Sequence, residues 1–301
     1  MSKLMVVLTG PTGIGKTKVC IELAKQYKSE IISADSRQIF REIPIGTAAP
    51  GKEEQTLVPH HLIGFKSIFD YYSAFEFEQD ALKIAMELFK KHHVLFMVGG
   101  SMMYIDAFCN GIDELPTVDS DLRQELQEKL NVEGIESIRQ QLKILDPDFY
   151  HQVDLKNPKR VVHAVEICLM TGKPYSSLRT APKKKRPFSI LKVGLNMDRS
   201  ELYGRINSRV LQMVDDGLLQ EAKALIDHQH LNALNTVGYK ELFASFNGEH
   251  SIEKAIELIQ RNSRHYAKKQ LSWFRRDAEM HWFHPGEINE IIRLIDENIP
   301  L

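Results

Sequence analysis

The feature that most constrains the fold is a glycine-rich octapeptide that lies directly after a short apolar run. Residues 4–8 read LMVVL, and residues 10–17 read GPTGIGKT. The glycines of such a loop let successive main-chain N–H groups point at phosphate oxygens, and the following helix adds the partial positive charge of its N-terminus. Because this loop follows a predicted strand and opens a predicted helix over 16–27, the sequence predicts a P-loop phosphate site. A chance glycine-rich turn is the alternative interpretation.

Strands and helices alternate in the first third of the chain. Apolar runs at 31–32 and 94–98 predict two more buried strands, and 73–91 has the spacing of an amphipathic helix. The pattern then becomes helical, until 190–195 predicts a strand that returns to the sheet. We therefore predict an α/β fold, with a P-loop doubly wound parallel sheet core and a helical insertion domain. The predicted divisions are the first part of the catalytic core at 1–112, the helical insertion at 113–186, and completion of the core with C-terminal helices at 187–301.

Charge and cysteine content bound the partners and the environment. The chain has 39 Lys and Arg against 40 Asp and Glu, so any surface for nucleic acid must be local. Three cysteines lie far apart in apolar segments, which predicts free thiols rather than a disulfide framework or a zinc cluster. They are Cys20, Cys109 and Cys168. With no apolar stretch of membrane-spanning length and no signal-peptide pattern, we expect a cytosolic protein without a membrane partner.

Side chains in and near the loop indicate the chemistry. We expect Lys16 to reach a terminal phosphate and the Thr17 hydroxyl to hold Mg²⁺, which neutralises charge on a leaving group. Asp35 follows the second predicted strand, at the sheet edge where ligands collect, and it can accept a proton there or cap the following helix. The strand at 94–98 ends in Gly-Gly, not in the Mg²⁺-binding Asp of many P-loop NTPases. This absence disfavours an ordinary ATPase.

Several ordered motifs resemble one enzyme family. They are GPTGIGKT at 10–17, ISADSRQIF at 32–40, IGTAAP at 45–50, VPHHLIG at 58–64, VGGSMMY at 98–104, NPKRVVHAVE at 157–166, LYGRINSRV at 202–210, VGYKE at 237–241 and RHYAKKQLSWFRR at 264–276. Together they resemble the bacterial tRNA dimethylallyltransferases, also called tRNA isopentenyltransferases. The resemblance implies transfer of a dimethylallyl group from dimethylallyl diphosphate to N6 of the adenosine beside the anticodon in tRNA. The P-loop would then hold a diphosphate.

The resemblance also implies catalytic roles. An adenine amine is a weak nucleophile, so the reaction needs a hydrogen-bond acceptor on the amine and strong stabilisation of the leaving diphosphate. Asp35 stands at the family's acceptor position, Ser101 replaces a usual threonine, and Arg123 matches an arginine near the reacting centre. With Lys16, these are the predicted catalytic residues. The residues expected to bind diphosphate are Gly10, Pro11, Thr12, Gly13, Ile14, Gly15, Lys16, Thr17 and Arg209.

An RNA surface is a further implication of the resemblance. The target base lies in a loop and must leave its stack before its amine can react. The residues expected to bind the anticodon stem-loop are Asp35, Ser36, Arg37, Gln38, Lys159, Arg160, Val161, Val162, His163, Gly238, Tyr239 and Lys240. The chain departs from the family at His163, usually arginine, and at Gly64, usually aspartate, which affects one phosphate contact and one loop geometry. We expect a monomer.

Basic segments in the second half supply candidate anion contacts. A predicted helix over 261–276 places four cations on one stripe, with aromatic residues on the other side packed into the protein. The stripe, expected to face a phosphate-bearing ligand, consists of Arg261, Arg264, Lys268 and Arg275. The predicted exposed connection at 180–187 contains a basic run at 183–186, which contacts tRNA or is solvated surface. The histidine pairs at 60–61 and 92–93 lack metal-ligand spacing and are predicted to be structural or on the polar surface.

Two other functions stay open on the residues alone. A P-loop small-molecule kinase would use ATP as donor and Asp35 to activate a substrate hydroxyl. A nucleotide-dependent binding module would need only the loop and some basic surface. The missing strand-end Asp and the basic helical second half both disfavour the kinase.

Overall fold

The computed structural model describes residues 3–116, 119–179 and 184–299. Contacts divide the chain into two compact units, which we call the core unit, residues 1–109 with 185–301, and the inserted unit, residues 110–184. The inserted unit, residues 110–184, begins three residues before and ends two residues before the predicted insertion at 113–186.

The described part of the core unit contains a sheet of six parallel strands, which confirms the predicted parallel sheet and adds two edge strands to the four predicted ones. They are β1 (Leu4–Thr9), β2 (Ile31–Ser33), β3 (His60–His61), β4 (Val94–Gly99), β5 (Ser189–Leu195) and β6 (His281–Phe283). Their order is β3-β2-β4-β1-β5-β6, so β1 lies between β4 and β5. Because all strands run the same way, the segments that follow β1, β2 and β4 meet at one edge of the sheet.

Helices account for most of the remaining described chain. In chain order they are α1 (Lys16–Gln26), α2 (Lys52–Leu57), α3 (Ala74–Leu88), α4 (Met102–Asn110), α5 (Ser120–Glu133), α6 (Ile135–Leu145), α7 (Pro147–Gln152), α8 (Pro158–Thr171), α9 (Tyr175–Leu178), α10 (Arg199–Asp215), α11 (Leu218–Ala224), α12 (Tyr239–Phe246), α13 (Ile252–Phe274) and α14 (Ile288–Asn298). No described helix has both the length and the apolar character that crossing a bilayer requires.

Helices cover both faces of the sheet, so β1 is buried on both sides. Alternate residues of a strand point to opposite faces. Leu4 and Val6 pack in one cluster with residues of α1 and α14, and Met5 and Val7 pack in another with residues of α3 and α4. This arrangement confirms the doubly wound core and explains the continuous apolar run.

A third apolar cluster joins α10, α11, α12 and α13 to the segment after β2. At its centre the buried Tyr239 hydroxyl donates to Glu221. The Glu221 carboxylate also accepts from the main-chain N–H groups of Ile45 and Gly46 at 2.9 and 2.8 Å. Helices of the second half therefore fix the segment that follows β2.

The inserted unit contains α5 to α9 around its own apolar cluster. The sequence pattern predicts helices over 121–130, 135–145 and 158–170, and these are present as α5, α6 and α8. Asp146 joins two short helices, because it caps α7 through the Phe149 N–H at 2.9 Å and accepts from Ser176 N–H at 2.6 Å. The three cysteines are free and buried, as predicted.

The structure contradicts both expectations for Arg186, a tRNA contact and a solvated surface. Its guanidinium pairs with Glu78 at 2.7 Å, and the two side chains are 7% and 1% exposed. It also donates to the carbonyls of Phe108 and Ala107 at 2.7 and 2.8 Å. Arg186 is therefore a buried cross-link of the core unit; Lys183 lies outside the described residues.

Candidate active site

The loop between β1 and α1 requires glycine for two physical reasons. Gly10, Gly13 and Gly15 have φ of 148°, 80° and 98°, a region that side chains disfavour. Neighbouring elements also approach closely: a Cβ on Gly10 would lie 2.7 Å from the Leu195 carbonyl oxygen, and one on Gly13 would lie 2.7 Å from Ile206. The predicted strand, loop and helix are thus packed against β5 and α10.

Lys16 lies inside this loop. Its Nζ donates to the carbonyl oxygens of Gly10 and Pro11 at 3.1 and 2.9 Å. Burial and the nearby Arg209 guanidinium lower the pKa of Lys16 to about 7, although Asp35 opposes that shift. An anion bound beside Lys16 would favour its charged form.

Arg209, on α10, is the second cation at the loop. Its Nη1 donates to the Thr12 hydroxyl at 2.8 Å, and burial lowers the pKa of its guanidinium. Its Nε is buried and has no hydrogen-bond partner among the described residues. Buried donors are normally satisfied, so this N–H is suited to an anion.

Asp35 follows β2 at the same sheet edge. Its Oδ1 accepts from the main-chain N–H groups of Arg37 and Gln38 at 2.9 and 3.3 Å, so it caps a turn rather than a helix. In the described part of the chain its other oxygen, Oδ2, accepts no hydrogen bond. Asp35 therefore combines a fixed orientation with a spare acceptor.

One cavity of about 640 Å³ connects the loop to Asp35 within the core unit. Among its lining residues are Thr12, Gly13, Gly15, Lys16, Thr17, Asp35, Gln38, Arg209, Tyr266 and Gln270. The predicted anion-binding groups and the predicted proton acceptor thus share a single space.

The end of β4 explains the missing strand-end Asp. A Cβ on Gly99 would overlap the Ala34 carbonyl, and one on Gly100 would overlap the Gln270 amide. Ser101 is buried at this edge, and its N–H donates to the Ala34 oxygen at 3.2 Å. A side chain at Gly99 would meet backbone, whereas one at Gly100 would have to displace the end of the Gln270 side chain.

Helix α13 contributes two cavity residues that sequence reasoning missed. Tyr266 and Gln270, one turn apart, line the cavity, and burial, then Asp35, raise the pKa of Tyr266 to about 12. The Gly-Gly pair after β4 indicates that another group approaches the main chain closely there. The sequence around Gln270 does not show that its amide is that group, because an uncharged side chain in a basic segment carries no distinguishing pattern.

The four residues of the basic stripe of α13 are not among those that line this cavity, so a contact between the stripe and a phosphate-bearing ligand stays a prediction. Arg264 donates to Asn207 at 2.5 Å. Lys268 and Arg275 line a different cleft of about 380 Å³, beside Tyr203. Helical periodicity identifies residues that share a face but not the surface which that face meets.

The predicted RNA contacts of the core unit have mixed environments. Arg37 donates to the carbonyls of Asn232 and Ala233 at 2.9 and 3.1 Å, and the Gln38 amide to those of Thr47 and Ala48 at 3.2 and 3.0 Å. The Arg37 side chain therefore stabilises the segment at 232–233, and the Gln38 side chain stabilises the segment at 47–48.

The remaining predicted contacts of the core unit differ in exposure. Ser36 is half-buried, Gly238 is buried and Lys240 is exposed. Tyr239 is fully buried, so its side chain cannot reach an RNA in this conformation.

The predicted residues of the inserted unit surround the start of α8. Lys159 and Arg160 are exposed. Val161 and Val162 are buried in the unit's apolar cluster, so their side chains serve packing.

Arg123 and His163 meet the same buried carboxylate in the inserted unit. Arg123 forms two hydrogen bonds with Glu166 at 2.9 and 3.1 Å, and His163 Nδ1 lies 3.4 Å from it. Burial opposes ionisation of Glu166, yet these hydrogen bonds lower its pKa to about 2. Arg123, predicted to be catalytic, and His163, predicted to lie at a phosphate contact, thus both interact with the Glu166 carboxylate.

The second departure from the family motifs and the histidine pairs have local structural explanations. Gly64 adopts φ of 59°, which glycine accepts without strain. His61 and His92 lie 2.7 and 3.3 Å from Glu30, consistent with structural roles. His60 lines the cavity, with Nδ1 at 2.7 Å from the Val58 oxygen.

The donor set of the cavity fits magnesium. No group of three or more His, Cys, Asp or Glu suited to a metal occurs among the described residues. The Thr17 hydroxyl and the Glu54 carboxylate both line the cavity. Mg²⁺ typically takes one or two protein ligands and completes its shell with waters and phosphate oxygens, so this sparse set suits it.

Comparisons with known proteins agree with this geometry. A family model described as IPP transferase matches residues 38–277. The chain belongs to the IPP transferase family. A tRNA dimethylallyltransferase 1 from Bacteroides fragilis (strain YCH46) is 52% identical over 298 residues, which cover 99% of each chain.

Two further members of the family have comparable coverage. A tRNA dimethylallyltransferase 1 from Bacteroides thetaiotaomicron is 53% identical over 291 residues, 97% of this chain and 94% of the relative. The crystal structure of the full-length tRNA isopentenylpyrophosphate transferase from Bacillus halodurans is 36% identical, with a TM-score of 0.73. That match covers 99% of this chain and 97% of the other. The fold and the family resemblance are therefore confirmed.

Proposed function

We propose that this protein transfers a dimethylallyl group from dimethylallyl diphosphate to N6 of the adenosine adjacent to the anticodon in tRNA, releasing diphosphate. The observation that carries the proposal is the single cavity that contains both the phosphate loop and Asp35. Relatives about half identical over nearly the full chain are named tRNA dimethylallyltransferase. They favour prenyl transfer over a small-molecule kinase.

The loop side of the cavity holds the donor. Main-chain N–H groups at the start of α1 and the cations Lys16 and Arg209 bind the diphosphate oxygens. Thr17 would hold Mg²⁺ together with those oxygens, and the bound ion would neutralise charge that develops on the leaving group. Ser101, at the end of β4, is proposed to donate to a charged oxygen.

The Asp35 side of the cavity receives the acceptor. N6 of adenine forms a bond to C1 of the dimethylallyl group while the bond between C1 and oxygen breaks, and its electron pair leaves with diphosphate. The amine proton passes to Asp35, whose Oδ2 is the spare acceptor. Its other oxygen, held by two N–H groups, keeps the carboxylate in place.

The RNA is proposed to bind as an anticodon stem-loop with its target base extruded. Exposed cations of both units, Lys159, Arg160 and Lys240, are candidates for phosphate contacts. Arg123 is proposed to act near the reacting centre. We further propose a monomer in the cytosol, where three free buried thiols are chemically suited to a reducing environment.

A direct assay tests this function. The purified protein is incubated with Mg²⁺, labelled dimethylallyl diphosphate and an anticodon stem-loop RNA, and the RNA is digested to nucleosides. We expect label on N6 of one adenosine, and none when that adenosine is replaced by guanosine. Dimethylallyl diphosphate should also displace any nucleotide from the loop. Turnover of ATP without such competition, and without labelled RNA, would favour the kinase instead.

A further inference from the structure

Gln270 connects two parts of the active site that are far apart in the sequence. Its Oε1 accepts from the Thr12 main-chain N–H in the phosphate loop, and its Nε2 donates to the Gly100 carbonyl after β4, each at 2.8 Å. The residue is 2% exposed. One amide therefore uses its acceptor and one donor to bridge main-chain groups of β1's loop and β4's end.

The bridge continues to the acceptor side of the cavity. Ser101, next to Gly100, donates its N–H to the oxygen of Ala34 at 3.2 Å, and Ala34 precedes Asp35. A run of hydrogen bonds thus leads from the loop that holds the leaving group to the carboxylate that orients the amine. A displacement of about 1 Å between reacting groups costs roughly 10²-fold in rate.

We infer that Gln270 is a positioning residue that sets the distance between the phosphate loop and the Asp35 edge of the sheet. The inference rests on the proposed function and deepens it. It also accounts for Gly100, because any larger residue there would displace the Gln270 amide. The space at the end of β4 is filled by an amide that reaches in from α13.

Two single variants and their combination test this inference. Gln270→Ala removes the amide, and Gly100→Ala displaces it while leaving its chemistry intact, since Gly100 lacks a left-handed φ. Each should lower kcat for transfer by about 10²-fold, with tRNA affinity unchanged within about twofold. The double variant should be no slower than Gln270→Ala, because without the Gln270 amide the Cβ of Ala at position 100 displaces nothing.

Gln260→Ala is the control. It removes a weaker hydrogen bond from α13 to the Asn207 carbonyl and should keep full activity.

Gln270→Glu adds a readout that loss of folding would not imitate. An ionised carboxylate can accept from Thr12 but cannot donate to Gly100, whereas the protonated acid can do both. The kcat of Gln270→Glu relative to the wild type should therefore rise as pH falls, with both proteins still folded by circular dichroism at every assay pH.

The outcomes separate this inference from the proposed function. Absence of transfer by the wild type would overturn both. Wild-type transfer together with full activity of folded Gln270→Ala, or strictly additive losses in the double variant, would overturn only the role of Gln270. A pH-independent ratio for Gln270→Glu would do the same.

Discussion

At the residue scale, the proposed chemistry depends on Asp35 and Lys16. One oxygen of Asp35 accepts from two main-chain N–H groups, and in the proposed function the other accepts from the substrate amine. Lys16 is held on two carbonyl oxygens, from which its ammonium can move to an arriving anion. Each arrangement is a property of one side chain and can be tested by one substitution.

Asp35→Asn should lower kcat by about 10²- to 10⁴-fold, because the amide keeps the turn but is a poor proton acceptor. Steady-state rates and tRNA binding by filter retention check this, and affinity should change little. Asp227→Asn, an exposed carboxylate on the same unit, is the control. Wild-type turnover by Asp35→Asn would remove Asp35 from the mechanism.

Diphosphate binding should weaken as pH rises from about 7.5 to 9. Burial and Arg209 lower the pKa of Lys16 to about 7, so above that pH the amine is mostly neutral in the free site. The bound anion raises this pKa again, and binding must therefore take up a proton. Calorimetry in buffers of different ionisation enthalpy measures the uptake.

Lys16→Arg is the matched control for this pH dependence, because a guanidinium stays charged across the range. Its binding should take up no proton. A flat affinity for the wild type over the same range would contradict the assigned state of Lys16.

At the element scale, the buried pair Glu78–Arg186 joins α3 to the segment before β5. Glu78→Gln should reduce the free energy of unfolding by about 3–5 kcal/mol, since it leaves a buried guanidinium without its counter-charge. Urea titration of both proteins measures the difference. The control is Glu87→Gln on the same helix, whose pair with Lys90 is 65% and 66% exposed and should matter by less than about 1 kcal/mol. Equal losses for the two variants would contradict the structural role of Arg186.

Local patterns predict the elements that depend on local causes. The apolar run of β1, the glycines of the loop and the helix that follows are adjacent in sequence, so their structure and their anion site follow from the residues themselves. Asp35 could be placed at the sheet edge for the same reason. The short edge strands β3 and β6 carry little apolar signal and were not predicted.

Long-range packing limits what the sequence predicts. Arg186 lies in a run of cations, and nothing nearby indicates that Glu78, over a hundred positions earlier, buries it. The side of α13 that meets the phosphate loop likewise depends on α10 and β4. Periodicity placed Arg264 and Lys268 on one stripe, but it could not show that Lys268 lines a cleft separate from the phosphate loop.

The whole molecule has a formal net charge of −1, so its attraction for a polyanion must come from local clusters. Affinity for an anticodon stem-loop should fall steeply with salt, by a slope of about −0.7 to −0.9 per phosphate contact in log-log form. Replacing exposed Lys159 and Arg160 by Gln should make that slope shallower by about one to two. Lys254→Gln, which removes an exposed cation paired with Glu257, should leave it unchanged.

A salt response that stays flat, or one that the Lys159 and Arg160 changes leave intact, would contradict phosphate contacts at the start of α8. Dimethylallyl diphosphate affinity provides an internal reference, since these substitutions lie in the inserted unit and the phosphate loop lies in the core unit.

The central claim is that donor and acceptor occupy opposite sides of one cavity. A crystal structure with a non-reactive thio analogue of dimethylallyl diphosphate and Mg²⁺ tests it most directly. We expect the diphosphate on the N–H groups of residues 13–17, with Lys16 and Arg209 in contact, and C1 directed towards Asp35. A diphosphate bound elsewhere, or a prenyl chain directed away from Asp35, would contradict the account.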